Sequence, residues 1–232
     1  MGEPQLRPSD RAHNLLLAED VTIAEDASIG ANVVIAGPAQ IGSGARIEHG
    51  AQIGVTASLG PQSSAVGGAG GVVVIGAGAV LRGGAIVFAG ARIDEGAIVG
   101  DQANIRERAV LGRGSVLGRG SALGPDAVVG NGVRIQSMVW ITAGVVVGDE
   151  VFIGPGVMTM NDNSIGQISS ATEYEPPRIE RGARIGGGVL ITPGTIVGEE
   201  AFVASGAVLT GDVPPRAKVR GIPARIYAEV AA

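Results

Sequence analysis

The sequence predicts an all-β fold, a parallel β-helix of about nine to ten coils with protruding loops and a short C-terminal helix. Three observations carry this. An aliphatic residue recurs at every sixth position, and a small residue follows four places after each one. Glycine is abundant and aromatics are scarce: the 232 residues include 40 Gly but only 3 Phe, 2 Tyr and 1 Trp. The beat runs through Leu17, Ile23, Ile29, Ile35, Ile41, Ile47, Ile53 and Leu59, then from Ile75 to Ile153, then from Ile179 to Leu209.

A period of six matches neither the 3.6-residue helix nor a plain alternating strand. Each hexad instead makes one short strand and one turn, with the aliphatic side chain pointing inward. Three hexads close a coil of about 18 residues, and coils stack at about 4.8 Å with parallel pairing. Glycine suits corners where φ is positive. It does not fall at every third residue, which excludes collagen.

In chain order, residues 1–16 are polar and contain proline, and they read as a lead-in that caps the first coil. Residues 17–213 form the solenoid, interrupted at 65–74 and at 159–178. Residues 214–232 leave it through Pro214-Pro215, and 224–230 are expected to form the short helix. Caps are needed because an open solenoid end exposes a strand edge.

The net charge of −5 implies no broad nucleic-acid patch, and no nucleic-acid partner is expected. No run of about 18 apolar residues and no signal-peptide pattern is present, so a soluble, cytoplasmic protein is expected. The absence of Cys removes disulfides and thiol catalysis.

The interruptions matter more for function than the beat. The second loop is long and polar, with Asn161, Asp162, Asn163, Tyr174 and Glu175, and long loops on rigid scaffolds tend to be functional. If each loop supplies one side of its coil, both emerge from the same edge of the prism. Residues 18 apart should then stack, with Ser137 under Pro155 and Gly187 under Ser205 in one column.

The repeats, of the form aliphatic-Gly-x-x-small-x, resemble those of the hexapeptide acyltransferases over residues 17–228. That resemblance implies a left-handed helix, against the right-handed rule for parallel crossovers. The segments VASGAVLTGDVPP and RGIPAR resemble the end of coenzyme-A-dependent members. The resemblance implies acetyl-CoA as donor, with its pantetheine arm in a groove between subunits of a homotrimer. On that basis Gly187 and Ser205 line the pantetheine column, Thr210 and Gly211 take the family's Thr-Lys positions, and Arg225 takes the Arg of its P-A-R motif. Gly211 removes the usual lysine, and Arg216, Lys218 and Arg220 offer replacement cations for the phosphates. The stretch GNGVRIQSMVWITAGVVVGDEVFIGPGVMTMNDN resembles the sugar-nucleotide N-acetyltransferases. It implies acceptor-positioning roles for Gln136, Ser137 and Asn161, although Ser137 and Met138 replace the family's Asn. Asp162 receives a proton or stabilises its turn.

His13 lies in the lead-in and reads as solvated. His49, in IEHGAQ, occupies an outward turn position, as a general base, a substrate ligand or a plain surface histidine. The γ-type carbonic anhydrases use a similar fold with three His around zinc, and this chain has 2, so no metal is expected. Scarce histidine favours an amine acceptor. A hydroxyl benefits from a base by about 10²–10⁴-fold, whereas an amine with a sizeable neutral fraction needs mainly placement. The expected function is therefore acyl transfer to a nucleotide-linked amino sugar. The alternatives are an O-acetyltransferase with His49 as base and a non-catalytic scaffold.

Overall fold

The computed structural model describes residues 5–58, 60, 70–167 and 174–230. It is an all-β solenoid, a left-handed parallel β-helix. Three sheets of 11, 9 and 11 strands form the faces of a prism. The first face runs from Arg7–Ser9 and Leu15–Leu17 to Val208–Leu209. The second runs from Val21–Ile23 to Ile196–Val197, and the third from Ser28–Ile29 to Arg225–Glu229.

Each strand pairs in parallel with the strand one coil on, as in Ile105 with Leu123 or Leu111 with Val129. From Ile35 upward the inward column of Ile, Leu and Val is sealed from water, and the small residue that closes each turn is sealed with it. Identical rungs therefore bury aliphatic on aliphatic, and aromatic bulk is not needed. Where the small residue is Ser115 or Ser121, its hydroxyl is satisfied by the next turn. Ser115 donates to the Gly130 carbonyl at 2.8 Å and accepts from the Val133 N–H at 2.9 Å, so burial of the hydroxyl costs little.

Two expectations need correction. The coil passes from Ile53 on the first face to Ile75 on the second, because Ile75 pairs with Ile41. The described faces therefore step from Ile53 directly to Ile75, and Leu59, which the beat counts as a rung, lies outside the described residues. The second interruption does supply one side of a coil: Met158–Thr159 continues the first face, with Thr159 pointing inward where an aliphatic stands elsewhere. Its hydroxyl meets the Thr142 N–H at 2.8 Å.

The second correction concerns the C-terminus. Residues 224–230 do not form a helix. Arg225–Glu229 is a strand antiparallel to Ala217–Arg220. The last parallel strand leaves a row of unpaired backbone groups, and a returning strand satisfies them where a helix would not. Ile226 and Tyr227 also favour the extended form.

At the other end, Arg7–Ser9 pairs antiparallel with Leu15–Leu17. Arg11 directs its guanidinium at the carbonyls of Ile23, Ala24, Glu25 and Ala27, at 3.0–3.4 Å. These are first-coil acceptors with no coil beneath. Arg11→Ala should cost about 1 kcal/mol and speed amide exchange selectively in residues 15–29, with upper coils unchanged.

Candidate active site

Most corners are four-residue turns whose third residue has positive φ. Glycine usually fills it, but Met138 does so at φ 59° and is 67% exposed. The turn's second residues stack vertically, because the third residue's N–H bonds to the second residue's carbonyl one coil below.

On the third-to-first corner this ladder reads His13, Ala31, His49, Gly83, Asp101, Arg119, Ser137, Pro155, Gly187 and Ser205. Its links include Gly84 N to His49 O, Met138 N to Arg119 O, Gly156 N to Ser137 O, Gly188 N to Pro155 O and Gly206 N to Gly187 O, at 2.8–3.1 Å. Ser137, Pro155, Gly187 and Ser205 thus share one column. Above, Val203 pairs with Val219, so Arg220 and Gly221 close the corner over Ala204 and Ser205. The five turns from Arg119 to Ser205 read GRG, QSM, GPG, GGG and ASG and contain no carboxylate. The corner is therefore a narrow strip of backbone and small side chains, with Arg119 at one end and Arg220 at the other. At about 4.8 Å per coil, its length is about 24 Å. Gln136 and Ser137 are exposed within it.

Both loops leave the first-to-second corner, between Gln52–Val55 and Val73–Ile75 and between Met158–Thr159 and Arg178–Ile179. Asn161 and Asp162 therefore lie on a different corner from Ser137, with a strand of the first face between them, and one chain does not bring them together. Both are engaged locally. The Asn161 side-chain amide donates to Ala143 O at 3.1 Å, and the Asn161 backbone carbonyl accepts from the Glu175 N–H at 2.9 Å. Asp162 accepts from the Ser164 hydroxyl at 2.6 Å and from the amides of Ser164 and Gly166 at 2.7 and 2.8 Å. The Ser164 hydroxyl, with the Gly166 amide, holds the Asp162 carboxyl below the usual carboxylate range. A carboxylate held in this way stabilises its turn and is a poor proton acceptor.

The donor candidates divide similarly. Thr210, Gly211 and Arg225 line one cleft of about 480 Å³ at the top of the prism, with Leu209, Asp212 and Ile226. Arg225 pairs across the hairpin with Arg220, whose guanidinium stacks on Tyr227 at 4.7 Å. Lys218 continues the outward row of the third face above Phe202. Gly187 and Ser205 lie on the strip beneath Arg220. His49 lies on the same corner four coils below Ser137, about 19 Å away. Its imidazole covers Gly83: a Cβ there would stand 3.1 Å from His49 Nε2 and 3.5 Å from Asp101 Oδ1.

The first face lies between the two corners, and its outward row over the upper coils reads Ala122, Trp140, Met158, Leu190 and Val208. Trp140 and Met158 are each 49% exposed. Among the described residues no three His, Asp or Glu side chains are grouped to hold a metal ion, and no helix is long and apolar enough to cross a membrane.

Two family models match the repeats. Bacterial transferase hexapeptide (six repeats) matches residues 20–54, and the hexapeptide repeat of succinyl-transferase matches residues 176–211. Over those two stretches the chain is similar to the hexapeptide repeats of transferases. No curated protein matches the sequence. Among solved structures, the UDP-N-acetylglucosamine acyltransferase of Francisella novicida superposes with a TM-score of 0.56 at 18% identity, covering 95% of this chain and 70% of that one. LpxA from Acinetobacter baumannii gives 0.46 at 17% identity, over 95% and 74%. A hexapeptide-repeat acetyltransferase of Vibrio cholerae, complexed with acetyl coenzyme A, gives 0.40 at 26% identity, over 53% and 71%. The Francisella enzyme shares the fold along nearly the whole chain.

Proposed function

We propose that the protein transfers an acyl group, acetyl in the first instance, from an acyl-CoA to the amine of a nucleotide-linked amino sugar. The observation that carries this is the carboxylate-free strip on the third-to-first corner. A polyanionic, elongated donor fits a narrow groove with exposed backbone and a cation at its upper end. Lys218, Arg220 and Arg225 would meet its phosphates, and Gly187 and Ser205 would leave room for the pantetheine arm. Gln136 and Ser137 would position the acceptor, and a turn N–H would hold the oxyanion.

An amine acceptor accounts for the absence of an imidazole between Ser137 and Ser205. A neutral amine attacks a thioester once it is placed, whereas a hydroxyl gains strongly from a base. The Francisella relative, by its description, acts on UDP-N-acetylglucosamine, which supports a sugar-nucleotide acceptor. Acetyl transfer is measured to the amino and hydroxyl forms of one sugar nucleotide. Preference for the amine is expected, and preference for the hydroxyl overturns the reading. His49 beside Asp101 favours O-transfer as the second reading, and His49→Ala abolishes turnover only under that one. A pure scaffold would show no thermal shift with saturating acetyl-CoA, whereas a donor site stabilises by about 2.7 kcal/mol at 100 times Kd.

The site is read as shared within a homotrimer in the cytoplasm, where acyl-CoA and nucleotide sugars meet. The half-exposed Trp140–Met158 row of the first face would turn to the threefold axis. The strip of one subunit would then face the loop corner and end cleft of its neighbour. A closed cyclic assembly brings different patches together in this way, and it would reunite Ser137 and Gly187 with Asn161 and Arg225.

A further inference from the structure

The hexads LGRGSV and LGRGSA place Arg113 and Arg119 in identical local sequence, on adjacent corners of one coil. The two arginines nevertheless differ in their surroundings. Arg113 reaches Glu95, the residue one coil below in its own column, at 3.5 Å, and its backbone N–H is held by Asn131 at 3.0 Å. Arg119 has Asp101 at the corresponding place one coil below. Aspartate is one methylene shorter than glutamate, and its carboxylate turns down toward Gly83 and His49, with Arg82 Nε at 3.9 Å. Arg82 is in turn held by Glu48 at 3.0 Å.

Arg119 is therefore exposed and flanked by Gly118 and Gly120, with no carboxylate partner among the described residues. Most other arginines are engaged: Arg7, Arg92, Arg106, Arg108, Arg178 and Arg216 each hold a carboxylate. The backbone that carries this free guanidinium lies one coil, about 4.8 Å, below that of Ser137. The strip above it has no acid to compete for it.

We propose that Arg119 is the anion subsite of the acceptor, binding the diphosphate of the nucleotide-linked sugar whose amine reacts beside Ser137. This rests on the reading of the strip as an acyl-transfer site. The donor's phosphates belong to the opposite end, about 24 Å away at Arg220. The planar guanidinium fork suits two phosphate oxygens at once. An acceptor amine without a neighbouring phosphate leaves Arg119 unused, so selection for the nucleotide-linked form over the free amino sugar follows from it.

The test is a calorimetric titration with UDP and, separately, with CoA, on the parent, Arg119→Ala, Arg119→Lys and Arg113→Ala. UDP binding should weaken about 10- to 100-fold in Arg119→Ala, as expected for loss of charge-assisted contacts. Arg119→Lys should retain part of it, and Arg113→Ala should match the parent. CoA affinity should be unchanged throughout. Equal UDP binding by Arg119→Ala and parent overturns the proposal, as does no UDP binding by the parent. Weakened CoA binding in place of weakened UDP binding also overturns it, because the anion would then be the donor's. UDP binding needs no turnover, so failure of the acyl-transfer reading is seen separately, as absence of transfer to any amine.

Discussion

Gly154→Ala is expected to lower the melting temperature by about 6–12 °C, equivalent to about 3 kcal/mol in a chain of this size. A methyl at Gly154 would stand 2.5 Å from the Gly187 nitrogen and 2.8 Å from the Gly186 carbonyl carbon. Both are backbone atoms of the next coil, so no side chain can swing aside. The two coils would have to separate, and Gly154 sits at the coil that leads into the 160–177 insertion. In a solenoid each coil contacts only its neighbours, so the damage should divide the stack. Amide exchange should rise from residue 179 upward, while coils below residue 135 keep their protection. A melting temperature within about 2 °C of the parent would mean that stacking at this corner is looser than these distances imply. Gly156, with the same turn but open space around its missing Cβ, is the matched control for packing, although its φ of 68° adds backbone strain of its own.

The fold was legible because core burial imposes the same requirement on every rung. Ile, Leu or Val at every sixth place is what a three-sided stack needs, and few other architectures ask for it. Errors arose where that requirement lapses. Leu59 keeps the beat, yet the faces step from Ile53 directly to Ile75, because period alone cannot tell a rung from an insertion that begins in phase. Thr159 breaks the beat although it is a rung, because its hydroxyl finds partners on Thr142 that a sequence pattern does not reveal. The hairpin at 217–229 answers to an open edge, a tertiary demand that outweighs weak local preference.

The candidate site was legible in part, for a related reason. Stacking at 18 residues follows from the period, so the Ser137–Ser205 column could be read before its hydrogen bonds were known. Asn161 stands four hexads after Ser137 with no insertion between them, so the same period already places it one corner further on. Arg119 was missed altogether. Its local sequence is that of Arg113, and the difference between them is whether an acid one coil below is long enough to reach.

Gly187→Leu is expected to remove donor use while leaving the prism intact. The backbone at Gly187 is not in the left-handed region, and an added Cβ meets Pro155 first, at 3.1 Å from its carbonyl oxygen and 3.4 Å from its ring, a tight contact that a small shift relieves. Melting should therefore stay within about 3 °C, or about 1 kcal/mol. The leucine side chain would lie on the strip where the pantetheine arm is expected, and KM for acetyl-CoA should rise at least about tenfold, or about 1.4 kcal/mol. Unchanged kinetics would remove the strip from the donor's path. The same variant also tests the shared site. Arg225→Ala should damage the end cleft, which belongs to the neighbouring subunit in the proposed assembly. When the two inactive proteins are unfolded together and refolded as mixed trimers, about a quarter of the sites should combine an intact strip with an intact cleft. Activity should return to about that fraction. If it does not return, strip and cleft act within one subunit, and the first face has no role in bringing them together.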